Sequence, residues 1–364
     1  MHIIGLFPLT GNGGIASWTK KFMKTFPDSE HVFTFVDVAP LKERKTENDN
    51  ILLRTITGIY SMIRLLKKLN GIVKHEKFDL LHTTTSGNIG SLRDYYVAKL
   101  CHKNGIKTIM HCRYGCITED IASKSLVGVL LRKAMTEFDQ IWVLDKRSYN
   151  TLKSIDTYKD KVFLTPNSID VQKPIDNTPK NYQSIAFCGN IIPSKGIIEL
   201  IDAVAKTVDV TLHVIGSGPD AVKKQMENAA GVLAGKRIFF HGRLPNEEAV
   251  KIMENIDMVA LPTYYPSEAF PISIIEAMSL TKMVISCRRA AIPDMLTNPD
   301  GTMCGILVEP QSSDSIVEAI KWCQNNKDKA DIMCRQAYEK VYSTYRKDVV
   351  YDLYRKNYQL LMQN

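Results

Sequence analysis

The chain has 364 residues, 45% hydrophobic and 24% charged, which excludes a disordered or low-complexity polypeptide and points to more than one core of ordinary size. Its net charge of +8 is carried by the first half, where residues 1–180 hold 27 Lys and Arg against 18 Asp and Glu while the remainder holds 20 against 21. No apolar run is long enough to span a bilayer, and none of the eight cysteines forms a CxxC pair. No zinc-finger, RNP or basic-zipper pattern accompanies the basic half, so nucleic acid is set aside as a partner.

Taken in chain order, strand-like and helix-like stretches alternate, the pattern of parallel sheets covered by helices. Residues 2–7 are apolar, short and without a basic leader or cleavage site, and read as a first strand, not a signal peptide. A helix over 16–26 and a strand over 31–36 follow. Next come a helix over 59–75 with basic residues on one face, a strand over 79–82 and a helix over 92–103. Strand 107–112, helix 125–137 and strands 140–144 and 161–164 complete the first half. Pro166, Pro174 and Pro179 mark an interdomain linker within 167–182. The rhythm then restarts, with strands over 184–188, 211–215, 238–240, 257–261, 283–286 and 305–308. Helices fall over 196–204, 221–229, 246–255, 271–280, 313–325 and 329–342, and a Tyr-rich helix over 349–362 closes the chain. Open α/β sheets bind ligands at the carboxyl ends of their strands, so the informative glycines are those just after strands.

Four such segments stand out. Gly11-Asn12-Gly13-Gly14-Ile15 follows the first strand and opens a helix, where glycines let backbone N–H groups approach an anion; it lacks the G-x-G-x-x-G dinucleotide fingerprint. Gly189-Asn190 through Lys195-Gly196 follows the first strand of the second half and sets a lysine at a helix start, suited to a phosphate. Gly216-Ser217-Gly218 is a third glycine turn, readable as tight-turn chemistry alone. The segment from Pro262 to Met278 places Glu268 on a loop and Glu276 inside an apolar helix that starts near Pro271. Two such carboxylates are costly without partners, and sugar or ribose hydroxyls are suitable ones; for either Glu alone, an ion pair with a buried Arg is the plainer explanation. Cys112 and Cys116 lie near His111, but no further Cys/His cluster completes a metal site.

In this order and spacing the chain resembles the retaining glycosyltransferases of GT-B fold, in particular glycosyltransferase family 4, over essentially its whole length and most strongly from Ser184 to Val308. Glu268 and Glu276 match the family's paired glutamates. Asn167-Ser168-Ile169-Asp170 resembles its linker signature, and Phe240-His241-Gly242-Arg243-Leu244-Pro245 resembles its nucleobase turn. The resemblance implies an α/β chain of GT-B fold, two Rossmann-like domains with parallel sheets facing across a deep cleft. An acceptor-side domain would cover 1–168, joined by the terminal helix 344–364, and a donor-binding domain would cover 169–343.

The resemblance also assigns roles. Lys195 would stabilise the leaving diphosphate, Glu268 would sit by the donor sugar, and His111 would contact the transferred sugar. Gly189 and Asn190, Gly216, and the backbone of Ala269, Phe270 and Pro271 would surround the donor. Glu276 would hold the ribose, Arg243 and Leu244 the base side, and Gly13, Gly14 and Ile15 would approach the diphosphate. Trp18, Arg113 and Tyr114 are expected at the acceptor rim. The family usually has Arg where Asn190 stands, so that either Arg243 or Arg113 substitutes as the cation or donor affinity is lower. A glycine usual after the first Glu is Ala269, and one usual before strand 283–286 is replaced around Thr281-Lys282.

The expected function is transfer of a sugar, with retention, from a UDP- or GDP-sugar to a glycan or lipid-linked acceptor in polysaccharide or other cell-surface glycan synthesis. No D-x-D pattern occurs, and neither cofactor nor essential metal is expected. The alternatives are another enzyme on the same fold, such as a nucleotide-sugar epimerase, or a non-catalytic nucleotide- or sugar-binding protein. The expected location is cytoplasmic, with peripheral contact to an anionic inner-membrane face through the basic helix around Arg64–Lys77.

Overall fold

The computed structural model describes residues 1–11, 13–39, 51–171, 179 and 181–363. The chain forms two compact units, Met1–Thr165 with Leu353–Asn364, and Pro166–Asp352. Asn12 and Pro174, both named in the sequence reading, lie outside the described residues.

The first unit runs β1 (His2–Phe7), α1 (Gly14–Thr25), β2 (Val32–Asp37), α2 (Ile51–His75), β3 (Leu80–Thr85), α3 (Gly90–Lys103), β4 (Lys107–Cys112), α4 (Ile117–Ala122), α5 (Leu126–Glu137), β5 (Gln140–Val143), α6 (Lys146–Lys153) and β6 (Val162–Leu164). Its six strands are parallel in the order β2-β1-β3-β4-β5-β6. Strands β1, β3 and β4 are buried on both faces, as befits central parallel strands, β1 with an apolar run and β3 and β4 with polar residues among the apolar ones, whereas edge strand β2 is buried mainly at Val36.

The second unit runs β7 (Ser184–Cys188), α7 (Ile197–Lys206), β8 (Thr211–Ile215), α8 (Asp220–Ala230), β9 (Ile238–Gly242), α9 (Asn246–Glu254), β10 (Met258–Leu261), α10 (Ile272–Ser279), β11 (Met283–Cys287), α11 (Ile292–Leu296), β12 (Ile306–Val308), α12 (Ser313–Asn325) and α13 (Lys327–Lys340), and then α14 (Lys347–Gln363). Its sheet is parallel in the order β12-β11-β10-β7-β8-β9. Each sheet therefore reverses strand order once, between β1 and β3 in the first unit and between β7 and β10 in the second, which defines where ligands sit in open α/β sheets.

Three short helices, α4, α6 and α11, were not expected from the sequence. Helix α6 is mostly polar and is started by its cap, Asp145, whose carboxylate accepts from the Ser148 N–H at 2.7 Å and the Ser148 hydroxyl at 2.8 Å. Helix α4 abuts α5 through Gly128, where a Cβ would fall 2.4 Å from the Ser123 carbonyl oxygen and 2.6 Å from that of Asp120.

The border between the units differs from the sequence reading at both crossings, falling after Thr165 and after Asp352. Local hydrogen bonds explain the shift. Asn167 Nδ2 donates to the Phe270 carbonyl at 2.8 Å, Ile169 N–H to the Tyr345 carbonyl at 3.1 Å, and Lys347 N–H to the Ile169 carbonyl at 2.9 Å. The first turns of α14 thus belong to the second unit. The rest of α14 belongs to the first, where Tyr354 and Tyr358 are fully buried and the Asn357 carbonyl accepts from Gln140 Nε2 at 3.0 Å.

One departure from the family pattern has a backbone consequence. Thr281, before β11, sits at φ 56°, in the left-handed region that a β-branched residue disfavours and glycine adopts freely. We predict that Thr281→Gly raises the unfolding free energy by about 1 kcal/mol, the strain relieved exceeding the added freedom of the unfolded chain. Urea unfolding of the two proteins checks this, and an unchanged or lower midpoint contradicts it.

Candidate functional site

At the reversal point of the second sheet, the loop after β7 meets the loop after β10. The first is drawn outward in step with its neighbours. Gly189 N–H donates to the Ile215 carbonyl at 3.0 Å, Gly216 N–H to Gly242 at 2.8 Å, and Ile191 N–H to Ser217 at 2.9 Å. A Cβ on Gly216 would fall 1.8 Å from the Gly189 oxygen, and one on Gly218 would fall 2.1 Å from that of Ile191. These two glycines are required by loop-on-loop packing alone.

The loop then turns through Pro193–Lys195 into Gly196, at φ 76°, where a Cβ would meet the Pro262 carbonyl at 2.2 Å. Tyr264 N–H donates to the Ser194 carbonyl at 2.8 Å, tying the two loops together. Their side chains meet as an ion pair, with Lys195 Nζ 2.8 Å from Glu268 Oε2 and the side chains only 14% and 9% exposed. Thr263, fully buried at the exit of β10, places its hydroxyl 3.4 Å from the same carboxylate oxygen and accepts from Tyr265 N–H at 3.2 Å.

Glu276, on α10, is buried. Burial, and after it the Glu276 charge, push the nearby Cys188 thiol up to about 12, with Lys195 acting in the opposite sense. One ammonium and two carboxylates therefore share the carboxyl end of the sheet. Ala269, Phe270 and Pro271 are buried beside them. The Ala269 carbonyl accepts from Ala291 N–H at 3.1 Å, and Phe270 meets Tyr345 edge-on at 5.2 Å. Asn190 and Arg243 are exposed, and Leu244 is half-buried at the end of β9.

In the first unit His111, on β4, is completely buried and both of its ring nitrogens are engaged. Arg113 Nη1 lies 3.2 Å from His111 Nε2, His111 Nδ1 lies 3.2 Å from His82 Nε2, and His82 Nδ1 lies 2.6 Å from the Tyr358 hydroxyl. A guanidinium only donates, so Nε2 of a neutral His111 must accept and its Nδ1 must carry the proton. That proton points at His82 Nε2, which leaves His82 Nδ1–H to donate to Tyr358. Neutrality follows from burial, which is the main cause holding His82 down at about 3 and His111 well below its ordinary value; the Arg113 charge adds to both. Aromatic rings wall the chain. Trp142 lies 4.9 Å from His82, Trp18 lies 5.4 Å from His111, and the Arg113 guanidinium stacks 4.0 Å over Trp18.

Of the residues expected at the acceptor rim, Trp18, Arg113 and Tyr114 are 5%, 8% and 4% exposed in the whole chain. Tyr114 belongs to the hydrophobic core, with its ring against Gly87, where a Cβ would fall 2.6 Å from the ring. The chain folds back over the exit of β3 at that point, so its phenol points inward. Arg113 is committed to His111 and Trp18. Gly13 and Gly14 are exposed at the start of α1, where an added Cβ would meet nothing within 4 Å, and Ile15 is half-buried beside them. Sequence reasoning passed over His82, Tyr358 and Thr263. The one available signal was a histidine inside the apolar run Leu80-Leu81-His82, which has to find a buried partner.

The neutral histidines predict an acid-sensitive fold. In the unfolded chain both take up a proton below about pH 6.5, while in the folded chain they do not, so the stability they contribute is present above that pH and lost as pH falls toward the folded values. Each adds up to about 1.4 kcal/mol of lost stability per pH unit in that window. Urea unfolding across this range should show a smaller pH slope in His82→Asn than in the natural protein; equal slopes would show that His82 is not held neutral.

Comparison with known proteins bears on the fold and on the sequence pattern of the second unit. Residues 168–340 match the family model described as glycosyl transferases group 1. An uncharacterized glycosyltransferase of Methanocaldococcus jannaschii is 26% identical over 322 residues, 87% of this chain and 86% of that one. A UDP-Gal:alpha-D-GlcNAc-diphosphoundecaprenol alpha-1,3-galactosyltransferase of Escherichia coli is 22% identical over 83% of this chain and 80% of its own. Among solved structures, HepE of Anabaena in complex with UDP superposes with TM-score 0.74 at 16% identity, over 99% of this chain and 100% of that one. The sucrose-phosphate synthase of Thermosynechococcus elongatus superposes with TM-score 0.77 at 17% identity, over 100% and 99%. The chain has the GT-B fold, and its second unit carries the sequence pattern of glycosyl transferases group 1.

Proposed function

We propose that the protein is a retaining glycosyltransferase that moves a sugar from a UDP- or GDP-sugar to a glycan or lipid-linked acceptor in cell-surface polysaccharide synthesis. The observation that carries this is the Lys195–Glu268 ion pair at the sheet's reversal point, with the buried Glu276 close by. Such a site answers the three parts of a nucleotide-sugar. The Lys195 ammonium meets the diphosphate and offsets the charge that develops as its bond to the anomeric carbon breaks. The Glu276 carboxylate accepts from ribose hydroxyls, and Glu268 lies where the sugar leaves. The backbone at Ala269–Pro271, at the start of α10, adds the positive end of a helix.

The transition state is oxocarbenium-like, and retention follows when the acceptor attacks on the face the diphosphate leaves. Lys195 supplies charge compensation without a metal, and none is assigned. For His111 we assign contact with a sugar hydroxyl through Nε2, the ring nitrogen that accepts from Arg113 in the tautomer Arg113 sets. We place the reaction in the cytoplasm. The bound UDP of HepE and the UDP-Gal of the galactosyltransferase support a nucleotide-sugar donor.

Exposed Asn190 supplies no cation next to Gly189, and it favours a second reading as a non-catalytic nucleotide-sugar-binding protein. Two measurements decide. A nucleotide at ~100 times its dissociation constant should add about 2.7 kcal/mol of stability in a screen of UDP, GDP, ADP and their sugars. Lys195→Ala should lower turnover about 100- to 1,000-fold with acceptor present. Donor binding with no nucleoside diphosphate released under any acceptor gives the second reading, and no nucleotide binding sinks both.

The ion pair also makes a stability prediction. Lys195→Ala or Glu268→Ala alone leaves a buried charge unmatched and should cost about 1–3 kcal/mol, and the double variant should cost less than the sum. Strict additivity in urea unfolding would show that the pair is not formed in solution.

A further inference from the structure

Helix α2 carries a surface that the donor reading does not use and that stands whether or not that reading holds. Its inward face is fixed by Leu65 and Leu69, both buried in the core of the first unit. On the opposite side Ile56, Ile59, Tyr60 and Ile63 are 56%, 47%, 62% and 45% exposed. Their spacing of three and four residues places them in one stripe about 100° wide, centred roughly opposite Leu65 and Leu69. Single exposed aliphatics are ordinary, but a continuous stripe on one helix marks a binding surface.

The second half of the helix continues that surface as charge. Arg64, Lys67, Lys68 and Lys74 are exposed, with Lys67 and Lys74 on the line of the stripe and Arg64 and Lys68 along one flank. No Asp or Glu occurs anywhere in Ile51–His75. Among the described residues no helix is long and apolar enough to cross a membrane.

We propose that α2 docks the protein onto an anionic phospholipid bilayer, lying in the interface with Ile56, Ile59, Tyr60 and Ile63 among the acyl chains and the basic residues at the headgroups. Aliphatic anchors with adjacent cations and no acid are the pattern of an interfacial helix. Lysine and arginine stems reach from apolar depth to the phosphates, and tyrosine suits the boundary. A nucleic acid would leave the isoleucines without a partner, and an apolar protein groove would leave the cations without one. The sequence pointed to the basic residues alone; the exposed stripe is what turns a basic helix into an inserting one.

The test is co-sedimentation of the full chain with vesicles of phosphatidylcholine containing about 30% phosphatidylglycerol, against phosphatidylcholine alone. The expected result is binding to the anionic vesicles that weakens as salt shortens the screening length. Ile59→Asp/Ile63→Asp and Lys67→Glu/Lys68→Glu should each lower the partition coefficient at least about tenfold, while Lys223→Glu/Lys224→Glu, in the second unit, leaves it unchanged. All these side chains are exposed, so the unfolding midpoints should stay with the natural protein and report that the fold is intact. A natural protein that stays in the supernatant overturns the proposal, as does full binding by either α2 variant or equal loss in the control. A dimer on gel filtration that Ile59→Asp/Ile63→Asp dissolves would assign the stripe to a second copy of the chain and overturn it as well.

Discussion

An ammonium and a carboxylate held 2.8 Å apart with little access to water govern the local structure of the second unit. Taking two ions out of water is costly, and their attraction offsets that cost only when the geometry is held and further polar groups assist. Both requirements are visible around Lys195 and Glu268. Gly196 turns left-handed against the Pro262 carbonyl so that the two loops can touch, and the Ser194–Tyr264 hydrogen bond fixes their spacing. Thr263 lies against the carboxylate and also steadies the loop at Tyr265. Glycines at 216 and 218 let the neighbouring turns stack close enough to hold the first loop in place. A lysine free in solvent would need none of this. The arrangement makes sense if the ammonium must stay in one position for an incoming anion.

The first unit handles buried polarity in the opposite way. Its chain from Arg113 through His111 and His82 to Tyr358 carries one charge at one end and keeps both imidazoles neutral, so each hydrogen bond has a fixed direction. Direction is set by the one group that cannot accept. The same chain anchors the end of α14, because Tyr358 stacks on Trp142 at 5.4 Å while Trp142 Nε1 donates to Gln140 and Gln140 holds the Asn357 carbonyl. The orientation of His111 and attachment of the last helix are thus one structural problem, to which the tyrosines of the terminal segment contribute.

These two centres also show how far the sequence could be read. The alternation of short runs with longer amphipathic stretches was enough for both parallel sheets, since a strand buried on both faces, such as β1, shows no period and is recognised by its short length and the glycine turn that follows it. The short helices α4, α6 and α11 escaped because one or two turns carry too few apolar positions to show a period; α6 rests on the Asp145 cap instead. Lys195 and Glu268 were each legible from their place after a strand. Their pairing was not, because it depends on β10 lying next to β7, a topological fact that no local pattern encodes. The burial of Tyr114 was not legible for a related reason, because its ring packs against Gly87, far earlier in the chain. His82 was passed over because a buried histidine looks like any strand residue until its partners, far away in the chain, are known.

Net charge carries a separate lesson. The excess of positive charge lies in the first half of the sequence, yet the cation proposed to meet a diphosphate is in the second, whose Lys and Arg are outnumbered by Asp and Glu by one. A site that recognises an anion through a single held ammonium does not need a basic domain; it needs low exposure, where attraction is screened little by salt. A basic domain without such a site needs a partner that is itself extended and negative, because exposed lysines act only within a screening length of about 8 Å and add up only across a broad surface. The exposed face of α2, a helix with no Asp or Glu, has the character of the second kind of surface and the Lys195–Glu268 pair that of the first, so the proposed membrane contact should weaken with salt more than the proposed anion contact.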